Sequence, residues 1–282
     1  MIDFTRRAAR AVQWRANALL GTGANVPDGP VESFEASEVA DYYDEATSAY
    51  LKATGPFLQA FRGQDTDDLM EYYVRRCGIT DGMTILDAGC GVAAPAIWLA
   101  RRFPSLKVTG MTVSPVQAEM AQSNAREAGV DDRVRIELGD YHELSSQLPH
   151  DQFDLAIFLE SLGHSSDIRR VLYGVGDVLK PKGRVYVKDF FQRRSLNPEL
   201  QAKIDKVIDT INANYRYHVM QLPDLVAACM ETGFGVSAVS PPEIEPDLKL
   251  TVDFEHEVGQ LTYPAYARFP AVDWYEVIAT RE

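Results

Sequence analysis

The 282-residue chain is 46% hydrophobic and 24% charged with 19 Gly and 15 Pro, which excludes a collagen-like, disordered or low-complexity protein and suits one large α/β domain with an added cap. Its 41 acidic and 28 basic residues give a formal charge of −13, which opposes a phosphate backbone and argues against nucleic-acid binding. No apolar run reaches the ~18 to 20 residues of a membrane span, MIDFTRRAAR lacks a signal-peptide core, and Cys77, Cys90 and Cys229 are too scattered for a disulfide framework or a zinc site, so a cytoplasmic protein with free thiols and no stable membrane insertion is expected.

The first 60 residues read as helix, loop, helix, broken at GTGANVPDGP where Gly and Pro cluster. Arg6, Arg7, Arg10 and Arg15 fall on the first helix, as a solvated arm or as a cluster for a small anion. The stretch SEVADYYDEATSAYLKA, from Ser37 to the breaker Gly55, predicts a second helix with Tyr43 and Tyr50 on nearly one face. After a helix around Asp67 to Arg76, the runs MTILDAG, LKVTGMT, RVRIEL, FDLAIFL and GRVYVKDF alternate with helical segments, the signature of a doubly wound parallel sheet. Ser114, Pro115 and Gly129 mark the ends of one such helix. A polar helical stretch from Ser195 to Tyr217 reads as an insertion over the active face. A helix from Pro223 to Thr232 and the strands FGVSAVS and DWYEVIATR, with a long covering loop between them, complete the chain.

ILDAGCGVAAP joins the first strand to the first sheet helix through Asp87, Gly89, Gly91 and Ala94. The glycines permit a tight turn and close approach of a ligand to backbone donors at the helix start. Alone, this turn suits a dinucleotide as well. Asp87, however, would repel a pyrophosphate and welcome a cationic amino-acid portion, and the end of the second strand, GMTVSPVQ, lacks the acid that an NAD enzyme carries for its ribose.

On these residues the chain resembles class I S-adenosylmethionine (SAM)-dependent methyltransferases over most of residues 40 to 280. TGMTVSPVQ is similar to a segment of the branch with sterol, tocopherol, cyclopropane-fatty-acid and prenyl-diphosphate methyltransferases. The resemblance implies a Rossmann-like, seven-stranded sheet with an N-terminal helical cap (1–60) and a methyltransferase domain (61–282), the latter carrying a helical insertion at about 190–222 and a cover loop at about 243–271. It implies SAM contacts at Asp87, Gly89, Cys90 and Gly91, at Thr112 and Gln117 for the ribose, at Asp140 and the Tyr141 backbone for adenine, and at Tyr42 or Tyr43 for the methionine end.

FLESLGHSSD ends the fourth strand and puts Glu160 and His164 at the switch point, where each is either a catalytic base or a structural group. In the resembled branch a Glu here serves carbon methylation of an alkene through a carbocation, which aromatic faces can shelter. Candidates for that shelter are Tyr43, Tyr50, Phe190, Phe191, Tyr215, Tyr217, Tyr263, Tyr266 and Trp274. INANYRYHVMQLPDL resembles prenyl-diphosphate methyltransferases, implying a diphosphate held by Arg216 and His218 with Arg193, Arg194 or the N-terminal arginines, and Mg²⁺ between the phosphates and nearby carboxylates. No protein metal site is expected. An O- or N-methyltransferase of a small natural product, with Glu160 or His164 taking the proton, is the rival reading, and a catalytically silent SAM-binding protein is the other. The expected partner is a small-molecule acceptor, met by a monomer or a homo-oligomer.

Overall fold

The computed structural model describes residues 34–247, 249, 250, 253, 257 and 271–282. The N-terminal arginines, Tyr263 and Tyr266 lie outside the described residues. The elements are α1 (Ala36–Thr54), α2 (Thr66–Cys77), β1 (Thr84–Ala88), α3 (Ala94–Arg102), β2 (Lys107–Thr112), α4 (Pro115–Glu127), β3 (Val134–Leu138), the short α5 (Leu144–Gln147) and β4 (Phe153–Leu159). They continue as α6 (Ile168–Val178), β5 (Leu179–Gln192), α7 (Pro198–Tyr215), α8 (Leu222–Glu231), β6 (Phe234–Ser240) and β7 (Val272–Arg281).

Local chemistry accounts for most boundaries. Ser114 accepts the Gln117 N–H and Pro115 opens α4, while Gly129 beyond its end has φ +67°. Asn197 caps α7 by accepting from the Glu199 and Leu200 N–H groups. The helix expected from Ser37 starts at Ala36, with Glu35 as N-cap and its N–H donated to Glu38.

The seven strands run β3-β2-β1-β4-β5-β7-β6. β1 to β5 are parallel, and β7 enters antiparallel between β5 and β6. The five runs that alternate with helices are thus parallel as expected, and the last two strands add an antiparallel edge. Side chains alternate across the sheet, so Ile85 belongs to a core with α2, α3 and α4, and its neighbour Leu86 to a core with α6 and α8. β5 continues through Gln192, so Phe190 and Phe191 stand in the sheet, and the helical insertion begins after them. Strand order reverses between β1 and β4, and α1 lies beside α4 over that end of the sheet.

Candidate active site

A cavity of about 650 Å³, counting its open mouth, lies under α1 at the carboxyl ends of the parallel strands. That size is ordinary for a small-molecule site. Tyr43, Gly89, Gly91, Thr112, Gln117, Asp140, Tyr141, Glu160 and His164 line it.

At the turn after β1, the N–H groups of Gly89 and Cys90 both donate to the Met111 carbonyl at 2.9 Å. Gly89 has φ +85°, and a Cβ there would stand 2.4 Å from Ser161 Cβ. The space that keeps this residue a glycine is therefore filled by the protein itself. Asp87, just before the turn, is buried, has an oxygen with no hydrogen-bond partner among the described residues, and is pushed up to about 7 by burial. Asp87 is not among the residues that line the cavity, and neither is Cys90, the other buried residue of this turn expected as a cofactor contact. Its Sγ packs where Gly110 leaves room, 2.8 Å from the site of a Cβ, and burial raises its thiol well above the usual range.

Thr112 donates to Gln117 Oε1 at 2.9 Å, and Gln117 Nε2 donates to Thr47 of α1 at 3.1 Å. Ser114 donates to Asp44, also of α1, at 2.6 Å. These polar contacts seat α1 over the end of β2. After β3, Asp140 accepts from the His142 backbone and ring at 2.9 and 2.6 Å. Burial opposes the Asp140 charge, but the His142 bonds outweigh it and hold the carboxyl below its ordinary value. His142 Nε2 meets Ser165 Oγ at 2.9 Å, and Tyr141 OH donates to the Ser161 carbonyl at 3.0 Å.

At the other end, Glu160 has φ +61°, a left-handed conformation that a glutamate rarely adopts. Its Oε1 meets Lys188 Nζ at 2.7 Å and the Phe61 N–H at 3.2 Å, and its Oε2 accepts the Ala60 N–H at 2.7 Å. His164 stands beside this clamp. Its Nδ1 lies 2.8 Å from the Arg216 carbonyl, which can only accept, so Nδ1 carries the hydrogen and Nε2 accepts from Tyr43 OH at 2.8 Å. Burial pushes His164 down to about 4 and the Tyr43 hydroxyl well above its usual value, so both are neutral near pH 7. Tyr217 packs edge-on against His164 at 4.5 Å and donates to Asp189 at 2.5 Å. Burial raises Asp189 to about 7.

The rings form a continuous chain. Tyr43, His164, Tyr217, Phe190, Trp274 and Phe61 follow one another at centroid distances of 5.3, 4.5, 4.7, 5.1 and 4.6 Å. Tyr50 bonds Tyr42 at 3.0 Å in a cluster that includes Tyr215, outside the cavity lining. The described cations expected for a diphosphate each have their own surroundings. Arg216 donates to the Ala213 carbonyl and lies over Phe34, Arg193 pairs with Asp273 at 2.8 Å, and His218 is exposed. Sequence reading missed Lys188, Asp189 and Ser161. The available signal was Lys-Asp in an otherwise apolar strand, VYVKDFF, where a buried charge demands a partner.

Residues 79–232 match the family described as a methyltransferase domain. The chain is 31% identical over 201 residues to the methyltransferase GfsG of Streptomyces halstedii, covering 67% of this chain and 70% of that protein. It is 30% identical over 154 residues to the sterol 24-C-methyltransferase ERG6A of Gibberella zeae, covering 50% of this chain but 38% of that one. In fold it is similar to geranyl diphosphate C-methyltransferase from Streptomyces coelicolor A3(2), solved with Mg²⁺, geranyl diphosphate and S-adenosyl-L-homocysteine (TM-score 0.68, 18% identity, 91% of this chain and 100% of that one). The chain belongs to the methyltransferase-domain family and is a class I SAM-dependent methyltransferase acting on a small molecule, similar in sequence to sterol and tocopherol methyltransferases.

Proposed function

We propose that the chain methylates a carbon atom of an isoprenoid alkene, and that Glu160 receives the proton released by the resulting cation. The cavity suits the cofactor. Along its lining the Thr112–Gln117 pair would meet the ribose and Asp140 with the Tyr141 backbone the adenine, while the buried Asp87 carboxylate, behind the lining glycines Gly89 and Gly91, would attract the ammonium group. SAM supplies a methyl group made electrophilic by its sulfonium.

The observation that carries this reading is the clamp on Glu160. With three donors on one carboxylate, Glu160 is a fixed negative charge, suited to facing a positive one. A proton beside a tertiary carbocation is a far stronger acid than any alcohol, so a carboxylate already engaged suffices to take it. A hydroxyl acceptor asks for a freer and stronger base. Of the ring chain, Tyr43 and His164 line the cavity, and the aromatic face of Tyr43 adds shelter for a cation, on the order of 2 kcal/mol when desolvated. The faces of Phe61 and Trp274 already carry the Lys188 ammonium at 5.8 and 6.0 Å, so the shelter falls to the other rings.

The rival, methylation of a hydroxyl or amine, is favoured by one observation: His164 is neutral, and its Nε2 lone pair faces the cavity through Tyr43. The two readings separate on product chemistry. Incubation with methyl-labelled SAM and a panel of prenyl diphosphates, sterols and phenols, followed by mass spectrometry and NMR, should give a carbon-bound methyl on an alkene. Glu160→Gln should keep SAM affinity while turnover falls by roughly 10²-fold. A methyl on oxygen or nitrogen with Glu160→Gln fully active overturns the proposal. Loss of activity in EDTA and its return with Mg²⁺ would add a diphosphate head group to the acceptor.

A further inference from the structure

We propose that Lys188 is a positioning residue that holds the Glu160 carboxylate at one place on the cavity rim and so decides which proton leaves the methylated intermediate. This rests on the isoprenoid reading above.

Lys188 lies in β5 with a fully buried side chain. Its ammonium reaches three acceptors, Glu160 Oε1 at 2.7 Å, Gln59 Oε1 at 3.0 Å and the Phe61 carbonyl at 2.7 Å. An ammonium has three hydrogens, so none is left over. Burial pushes the group below its ordinary value and the Glu160 charge pulls it back, which marks the pair as mutually dependent. The backbone repeats the linkage, since the Glu160 N–H donates to the Lys188 carbonyl at 2.8 Å. Three separate segments thus meet at the carboxylate: the end of β4, the middle of β5, and residues 59–61 between α1 and α2. Without Lys188, Oε1 loses its charged partner, and the segment that supplies the Ala60 and Phe61 N–H groups loses two of its anchors. The left-handed backbone of Glu160 then has less to hold it.

Placement matters because a tertiary carbocation offers protons on more than one neighbouring carbon. The alkene π pair forms the bond to the methyl carbon as the carbon–sulfur bond breaks, its electrons staying on sulfur. A C–H pair then becomes the new double bond, and the proton passes to the Glu160 carboxylate. Which C–H reacts is set by which hydrogen lies within reach of a fixed oxygen, and a shift of about 1 Å changes the choice.

The test is Lys188→Met, with geranyl diphosphate and SAM as the probe reaction. SAM affinity should stay within about 3-fold of wild type, because Glu160 is the one cavity-lining residue among the described partners of the Lys188 ammonium. Turnover should fall by roughly 10-fold or more. The product should change from one alkene to a mixture of double-bond isomers and water-trapped alcohol, readable by NMR. A merely structural lysine would lower the folded fraction without altering the isomer ratio, so an unchanged single product overturns the inference while leaving the isoprenoid reading intact. If Lys188→Met does not fold, Gln59→Leu loosens the same ammonium without unpairing the charges, and it should shift the ratio in the same direction; no shift there overturns the inference. A wild-type product methylated on oxygen or nitrogen overturns both.

Discussion

Tyr43 and His164, 121 positions apart in the chain, meet through a 2.8 Å hydrogen bond across the cavity. The hydroxyl of α1 and the ring after β4 close one end of the cavity between them, and the Arg216 carbonyl fixes the imidazole tautomer from behind.

Tyr43→Phe removes the donor and leaves His164 Nε2 without its protein partner. The expected cost is about 1 kcal/mol in stability, with SAM bound several-fold more weakly and the ring stacking kept. Chemical denaturation and calorimetry check this; unchanged SAM affinity would mean that the α1 contact contributes nothing to closure.

Gln117 bridges Thr112 and Thr47, so its side chain serves the cofactor wall and the seat of α1 together. Gln117→Ala should weaken SAM by about 1 kcal/mol or somewhat more. Amide exchange should also quicken across α1 and remain unchanged in α7. Exchange confined to wild-type rates would show that Asp44 and Ser114 hold the helix without help.

The tight fit at Gly89 yields a stability prediction. An Ala there meets Ser161 Cβ at 2.4 Å and also faces a φ of +85°, so both overpacking and backbone strain apply. Gly89→Ala should lose about 2 to 4 kcal/mol. Pairing it with Ser161→Gly should return the packing part and leave the backbone part, as a double-mutant denaturation series would reveal. Additive losses would place the clash elsewhere.

The pH dependence of SAM binding follows from Asp87. Its ordinary value is 3.8 and burial lifts it to about 7, so in the empty protein it is neutral below 7. That raised value contributes stability present below 3.8 and lost as the pH rises through 7, and Asp189 adds to the same trend. His164, pushed down to about 4, acts oppositely, contributing stability above its ordinary 6.5 that fades as the pH falls toward 4. A cationic ligand beside Asp87 needs the charged carboxylate. SAM affinity should therefore weaken by up to about tenfold per pH unit below 7 and level off above it. Calorimetry at pH 5.5, 6.5 and 8 measures this, and Asp87→Asn should flatten the curve. A flat wild-type curve would remove Asp87 from the cofactor contacts.

Much of the frame was legible from local chemistry. Alternating strands and helices announced the doubly wound sheet, Ser114, Pro115 and Gly129 bounded α4, and the glycines of the Asp-x-Gly-x-Gly turn pointed to the wall of the cavity. Such signals survive in one dimension because strand period, caps and turns depend on residues within a few positions of each other. The tertiary structure decided what depends on meetings across the chain. Lys188 finds Glu160, Ser161 fills the space above Gly89, β7 enters antiparallel, and Arg193 pairs with Asp273. A buried charge or an absent Cβ states only that a partner is required. Which residue answers is set by strand order and register, and these arise from packing the whole sheet at once.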